Sequence, residues 1–324
     1  MHGRPRTRAT AAADKESEAK AERFELLLSA VLRNHQQRCY TKEALEENAR
    51  LVELNPEVYT AWNFRKLALK SLLDAEPDED SRKDLVKQEL KVTENALRAH
   101  IKSYSAWHHR KWVIALGLSS LDDELDLLAQ LFKVDARNFN AWSYRRYIVG
   151  LMGVPVQQEL DYTMTLLNKN FSNYSAWHNR SALLLELFKE IKDEQGKESI
   201  LSEEFELVKQ ALYTDPCDQS GWFYHSWLLG HSSKQDRLGT EIDMCRDLLE
   251  AEEDASDWAR NTLGEESKFP RLTLARLLSS APGVDKAEVV SLYDRLVRTD
   301  PPHAAYYKDM LQKSRTTEEE ARVL

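Results

Sequence analysis

Lys102 and Tyr104 stand two residues apart in the stretch His100-Ile-Lys-Ser-Tyr-Ser-Ala-Trp-His-His-Arg-Lys-Trp112. An ammonium and a phenol hydroxyl at the start of a helix suit a phosphate or diphosphate. The first helical turn adds unpaired N–H groups and the positive end of the dipole. Arg137 and Asn138 stand 35 residues after Lys102 and Ser103, in an adjoining copy of the same pattern, and could contribute to the same anion. A solvated surface lysine is the simpler reading of Lys102, and both readings stay open at this point. His108 and His109 are adjacent, so their side chains diverge by about 100° around a helix and do not chelate a metal as an i, i+4 pair does. No acidic residue is spaced to join them, and packing is their expected role. His2 is a near-terminal imidazole; on a mobile arm it could reach a metal held by another chain. There is no Ser/His/Asp triad, phosphate-binding glycine loop, dinucleotide fingerprint or CxxC pair, so the chain shows no self-sufficient active site.

These residues sit within a repeat. Trp62, Trp107, Trp142, Trp177 and Trp222 are spaced by 45, 35, 35 and 45 residues. A polar residue lies seven before each (Asn55, His100, Asp135, Asn170, Asp215) and a small one directly before (Ala61, Ala106, Ala141, Ala176, Gly221). Three before stands Tyr59, Tyr104, Phe139, Tyr174 or Gln219; three after stands Arg65, Arg110, Arg145, Arg180 or His225. Phe269 and Tyr307 are candidates for the Trp place in two weaker copies. Amphipathic stretches such as Leu121, Leu125, Leu128 and Phe132 alternate with the Trp segments. The period is that of stacked helical hairpins, an all-α solenoid in which no hairpin buries its apolar face alone. The five Trp are expected to fill the core, and the Arg one turn later to stack or to pair with a neighbouring unit. Only the second copy places a Lys two residues before the aromatic; the others have Glu57, Arg137, Ser172 and Cys217.

The composition agrees. Ten Gly and nine Pro in 324 residues starve hairpin turns and suit helices. A net charge of −9 argues against a nucleic-acid binder. Cys39, Cys217 and Cys245 are too few and too scattered for a disulfide framework or a zinc knuckle. No apolar run approaches a transmembrane span or a signal peptide, so a soluble, cytoplasmic chain is expected. The expected layout is a flexible tail over 1–14, a solenoid over 15–313 with an irregular region at 231–268, and a flexible tail over 314–324. Segments 74–83 and 190–203 read as charged loops that lengthen two repeats.

The repeated P-x-x-Y-x-x-W-x-x-R pattern, present as PEVYTAWNFR and echoed down the chain, resembles the signature of the protein prenyltransferase α-subunit family. The opening Met-His-Gly-Arg and the KSYSAWHHRKW and NFSNYSAWHNR stretches resemble its Rab-type branch, geranylgeranyltransferase type II. The resemblance implies a crescent-shaped, right-handed α–α superhelix wrapped around a β subunit, active only as the heterodimer. That β subunit would hold a catalytic Zn2+ and the lipid of geranylgeranyl diphosphate. Lys102 and Tyr104 would then face the diphosphate across the interface, as catalytic residues that stabilise the leaving group. The substrate would be a Rab GTPase presented by a Rab escort protein. His2 would be an autoinhibitory contact to the partner's zinc. Ser105 stands where relatives that read a CaaX terminus carry Gln, and Phe139 lacks the hydroxyl those relatives have. The immunoglobulin-like and leucine-rich domains of many Rab-type relatives have no counterpart in this sequence. Two rivals are the α subunit shared by farnesyltransferase and geranylgeranyltransferase type I, and a non-catalytic helical-repeat scaffold for protein binding.

Overall fold

The computed structural model describes residues 11–254, 267–281 and 286–323, and every regular element among them is helical. Two compact units meet in sequence at Gly153/Val154. The first contains α1 (Ala11–Gln37), α2 (Lys42–Leu54), α3 (Tyr59–Ala75), α4 (Glu79–Ala99), α5 (Tyr104–Ile114), α6 (Leu121–Val134) and α7 (Phe139–Met152). The second contains α8 (Val156–Lys169), α9 (Tyr174–Glu190), α10 (Glu194–Thr214), α11 (Gln219–His231), α12 (Lys234–Asp254), α13 (Lys268–Ser280), α14 (Lys286–Thr299) and α15 (Ala304–Val323). The Trp-bearing helices are α3, α5, α7, α9 and α11. Within the first unit α3 packs on α5 and α5 on α7, and within the second α9 packs on α11.

Each Trp helix is started by its own lead-in. The polar residue seven before Trp folds back on the chain: Asn55, Asp135, Asn170 and Asp215 accept the N–H two residues on at 2.9–3.1 Å. This is the Asx-turn that Asn and Asp favour. Three residues later Ser103, Asn138, Asn173 and Asp218 cap the helix N-terminus. The indole then closes the loop. Nε1 of Trp62, Trp107, Trp142, Trp177 and Trp222 donates to the carbonyl six residues earlier, at 2.7–2.9 Å. All five rings are 1–3% exposed. At Gly221 an added methyl group would meet Leu212 Cδ2 at 3.0 Å, so the Ala of the other copies would require that side chain to give by a few tenths of an ångström.

The arginines that follow are buried and ion-paired. Arg65 grips Glu89 through Nε and Nη2 at 2.8 and 2.6 Å, and its Nη1 donates to the Leu45 carbonyl. Arg110 repeats this with Glu124 and the Leu90 carbonyl, and Arg180 with Glu204 and the Leu160 carbonyl. The carboxylate takes one more donor from the next Trp helix: His109 on Glu89, Tyr144 on Glu124, Tyr224 on Glu204, at 2.6–2.7 Å. His109, expected to pack, therefore also ties two hairpins, its ring 4.6 Å from that of Trp62. Burial alone would raise the Glu89 pKa, but Arg65 and the His109 hydrogen bond outweigh it and hold the carboxyl at about 2. Burial lowers the His109 pKa against the pull of Glu89. The ring is neutral: Nε2–H donates to the carboxylate, and Nδ1 has no partner to receive a second proton.

The structure corrects or refines sequence expectation in four places. The charged segments at 74–83 and 190–203 are mostly helix. The extra residues lengthen α4 and α10 to 21 residues each, against 14 for α6 and α8. Within 231–268, residues 234–254 form the single regular helix α12; 255–266 lie outside the described residues. Helix starts at Ala11 and runs to Val323, past both expected tail boundaries. Tyr307 is the fourth residue of α15, the helical position of Trp elsewhere, and is 2% exposed with its hydroxyl on Asp300. Phe269 is not at that position in α13; the fourth residue there is Arg271, buried and paired with Glu252.

Arg110→Ala leaves Glu124 buried without its counter-charge and is expected to lower the unfolding free energy by about 3–5 kcal/mol in urea titration. Acid should also destabilise the fold. Folded His109 resists protonation that the unfolded histidine accepts below about pH 6.5. Its contribution is complete above that value and is lost on acidification; that of Glu89 fades only below about pH 4.5. His109→Tyr, which copies Tyr144 and Tyr224, should narrow the stability difference between about pH 8 and pH 5.5. An unchanged difference would remove His109 from the account.

Candidate functional site

The lead-in of α5 combines a fixed backbone with free side chains. The Ile101 carbonyl receives Trp107 Nε1 at 2.9 Å and Asn138 Nδ2 at 3.3 Å. The Lys102 carbonyl receives Asn140 Nδ2 at 3.2 Å. Ser103 is buried and caps Ala106 N. Ser105, 3% exposed, donates its hydroxyl to Glu57 Oε2 at 2.9 Å. Against that rigid frame the Lys102 side chain is exposed, and Tyr104, the first residue of α5, is 61% exposed. Lys102 also borders a cavity of about 420 Å³ formed with the lead-in of α3, including Glu57 and His100.

The Tyr104 ring lies 5.4 Å from that of Phe139, which opens α7. Because Asn138 and Asn140 both bond the 101–102 backbone, the α7 lead-in carrying exposed Arg137 lies alongside that of Lys102. Two cationic side chains and a phenol thus share one edge of the first unit, at helix N-termini whose dipoles favour an anion.

Asn138 does not belong to the ligand-facing set. It is 2% exposed; Oδ1 accepts from Ala141 N and Nδ2 donates to Ile101, so its amide is spent on positioning. His108 is exposed, and His2 lies outside the described residues. Among the described residues no group of three or more His, Cys, Asp or Glu could hold a metal, so these residues offer zinc no ligand set. No described helix is long and apolar enough to cross a membrane. The acidic partners Glu89, Glu124 and Glu204 escaped the sequence reading. Their signal was a Glu placed 24, 14 and 24 residues after the repeat Arg.

The repeat described as "Protein prenyltransferase alpha subunit repeat" matches residues 41–72, 86–116, 121–152, 156–187 and 201–232, each spanning one helix and the Trp helix after it. The chain is 37% identical over 291 residues to geranylgeranyl transferase type-2 subunit alpha of Dictyostelium discoideum, covering 87% of this chain and 88% of that one. It is 54% identical over 230 residues to subunit alpha 1 of Arabidopsis thaliana, covering 71% of this chain and 34% of the relative. The human subunit alpha is 39% identical over 246 residues, 74% of this chain and 43% of the relative. The chain thus spans well under half the length of the Arabidopsis and human relatives. A solved structure of Candida albicans protein geranylgeranyltransferase-I complexed with GGPP contains a chain of the same fold, with a TM-score of 0.71 at 22% identity over 90% of this chain and 91% of that one.

Lys102→Ala and Tyr104→Phe remove exposed groups and should change the unfolding free energy by less than about 0.5 kcal/mol. Asn138→Ala removes a cap and an inter-hairpin bond and should cost about 1–2 kcal/mol. Denaturant midpoints in the reverse order would make Lys102 a structural residue.

Proposed function

The chain belongs to the geranylgeranyl transferase type-2 α-subunit family, and on that premise we propose that it is the α subunit of a heterodimeric Rab geranylgeranyltransferase. The observation that carries the reading is the asymmetry of the second hairpin. Of five lead-ins only this one presents Lys two residues before the aromatic, and its backbone is held by bonds from three other residues.

In this proposal Lys102 and Tyr104 contact the diphosphate of geranylgeranyl diphosphate bound by the β subunit. They stabilise charge that develops as the C–O bond to the diphosphate breaks; preorganised donors are most effective in that role. Arg137 adds a weaker contact to the same anion. The Zn2+, assigned to the β subunit, would supply activation of the acceptor thiol. His2 is assigned as an autoinhibitory contact to that metal. Acceptors are C-terminal cysteines of Rab GTPases carried by an escort protein, in the cytoplasm. Ser105 supports an enzyme that does not itself read a CaaX carboxylate, since its short hydroxyl is occupied by Glu57.

Co-expression with candidate β subunits tests the proposal, with labelled geranylgeranyl offered to Rab–escort complexes and to CaaX peptides. The chain alone should transfer nothing, and the heterodimer should modify the Rab–escort substrate. Lys102→Ala should lower turnover by roughly 10²–10³ with heterodimer formation intact, and Lys102→Arg should restore part of it. Transfer by the isolated chain, or equal loss of assembly and turnover, would overturn the assignment; efficient use of CaaX peptides alone would favour the type I reading.

A further inference from the structure

The fifth hairpin breaks the pattern of the others. Between α11 and α13 lies a groove of about 500 Å³, within the range that encloses small ligands. Trp222, Leu229 and Leu277 form apolar parts of its lining, with Phe223 and Phe269 on opposite helices. One sequence change accompanies it. The fourth position of α13 holds Arg271 rather than Trp. Gly230 on α11 has open space around it, since an added Cβ would meet no atom within 4 Å.

The polar groups are concentrated. Arg276 lines the groove, exposed, its guanidinium 5.7 Å from the Tyr306 ring centre and its Nη2 donating to the Tyr306 hydroxyl at 3.0 Å. It has no carboxylate partner among the described residues, unlike Arg180, Arg237, Arg246 and Arg271 of the same unit. His225, 1% exposed, also contributes to the lining; its Nε2 is bonded to Glu241 and its Nδ1 has no partner. An apolar slot beside one uncompensated guanidinium is complementary to a molecule with a hydrocarbon body and an acidic end.

We propose that this groove binds an amphiphilic anion, a single hydrocarbon chain ending in a carboxylate or phosphate. The chain lies along the edge-on pair of Phe223 and Phe269, whose ring centres are 6.5 Å apart, and the head group sits on Arg276. The site stands apart in the sequence from Lys102, and its occupancy does not depend on prenyl transfer.

The test uses the full chain and displacement of a fluorescent fatty acid, cis-parinaric acid, below micelle-forming concentrations. Saturable binding is expected, with displacement by dodecanoate and dodecyl phosphate. While the slot has room, each added methylene should tighten binding roughly threefold to fourfold. Arg276→Ala should weaken both anions at least about tenfold, as loss of a charge-assisted bond implies, and leave dodecanol unaffected. Gly230→Leu should block all three, with helix content checked by circular dichroism; Ser226→Trp, at an exposed rim position, serves if that variant misfolds. Absence of saturable binding, or affinities that all these variants leave unchanged, overturns the proposal. Equal competition by inorganic phosphate also overturns it, by removing the role of the chain. So does a partner polypeptide whose capture is lost in Gly230→Leu when no amphiphile binds, which would make the groove a docking surface.

Discussion

A buried guanidinium sets the register of the hairpins. Arginine offers five donors in a rigid fork and accepts nothing, so burying one requires carboxylate and carbonyl oxygens at fixed directions. Arg65, Arg110 and Arg180 meet that demand in the same way: two donors to a Glu on the following helix, one to a carbonyl 20 residues back. The carbonyl distance in sequence is constant, whereas the Glu lies 24, 14 or 24 residues on, according to whether the intervening helices are long or short. Length therefore varies between hairpins while the junction does not. A well-packed apolar replacement could equal such pairs in stability. What oil-like contacts lack is direction, and the third donor on each Glu, from His109, Tyr144 or Tyr224, comes from the next Trp helix. The polar cluster thus fixes how far one hairpin slides on another.

The indole bond performs the same service for the lead-ins. Each Trp reaches back six residues, so the turn ahead of the helix is held by the helix it starts. In the second hairpin two Asn side chains from the third add to that hold. Groups meant to meet a developing charge work best on an ordered frame. The repeat machinery supplies the frame at every copy, and the residue at Lys102 supplies the chemistry at one. Tyr104 fits the same logic: its ring leans on Phe139 while most of its surface is open.

The repeat was legible in the sequence because large, rare residues mark it. Five Trp at spacings of 35 or 45 fix both the period and the buried face, and Lys102 marks where the second copy differs from the others, with the shared Tyr104 two residues on. What was missed has a common cause, which is that polar side chains are ambiguous. Asn138 reads equally as a ligand contact and as a cap; only its burial and its two bonds decide. The charged segments 74–83 and 190–203 read as loops because their Asp, Glu and Lys look solvent-bound. In fact they cover the outer faces of extended helices, with Asp78 and Asp193 as caps. The glutamates that complete the arginine clusters look like any others on charged amphipathic helices. Toward the C-terminus the large markers thin out: Tyr307 keeps the Trp place, whereas α13 gives it to Arg271.

The fifth hairpin shows what the arginine does by lacking it. His225 keeps the bond to an acidic partner, Glu241, at 2.6 Å. An imidazole has two nitrogens against the five donors of a guanidinium, and the second nitrogen reaches no carbonyl. Twenty residues before His225, where a carbonyl would accept from Arg, the Phe205 ring meets the imidazole edge-on at 5.7 Å instead. One directional tie is replaced by a ring contact that tolerates a range of positions. On the other side of His225, α11 and α13 pack less closely than α9 and α11 do: the Phe223 and Phe269 rings meet edge-on at 6.5 Å and the groove opens beside them. The hairpin that lacks the arginine is thus the one that carries the apolar groove, and His225 itself supplies part of the groove's lining.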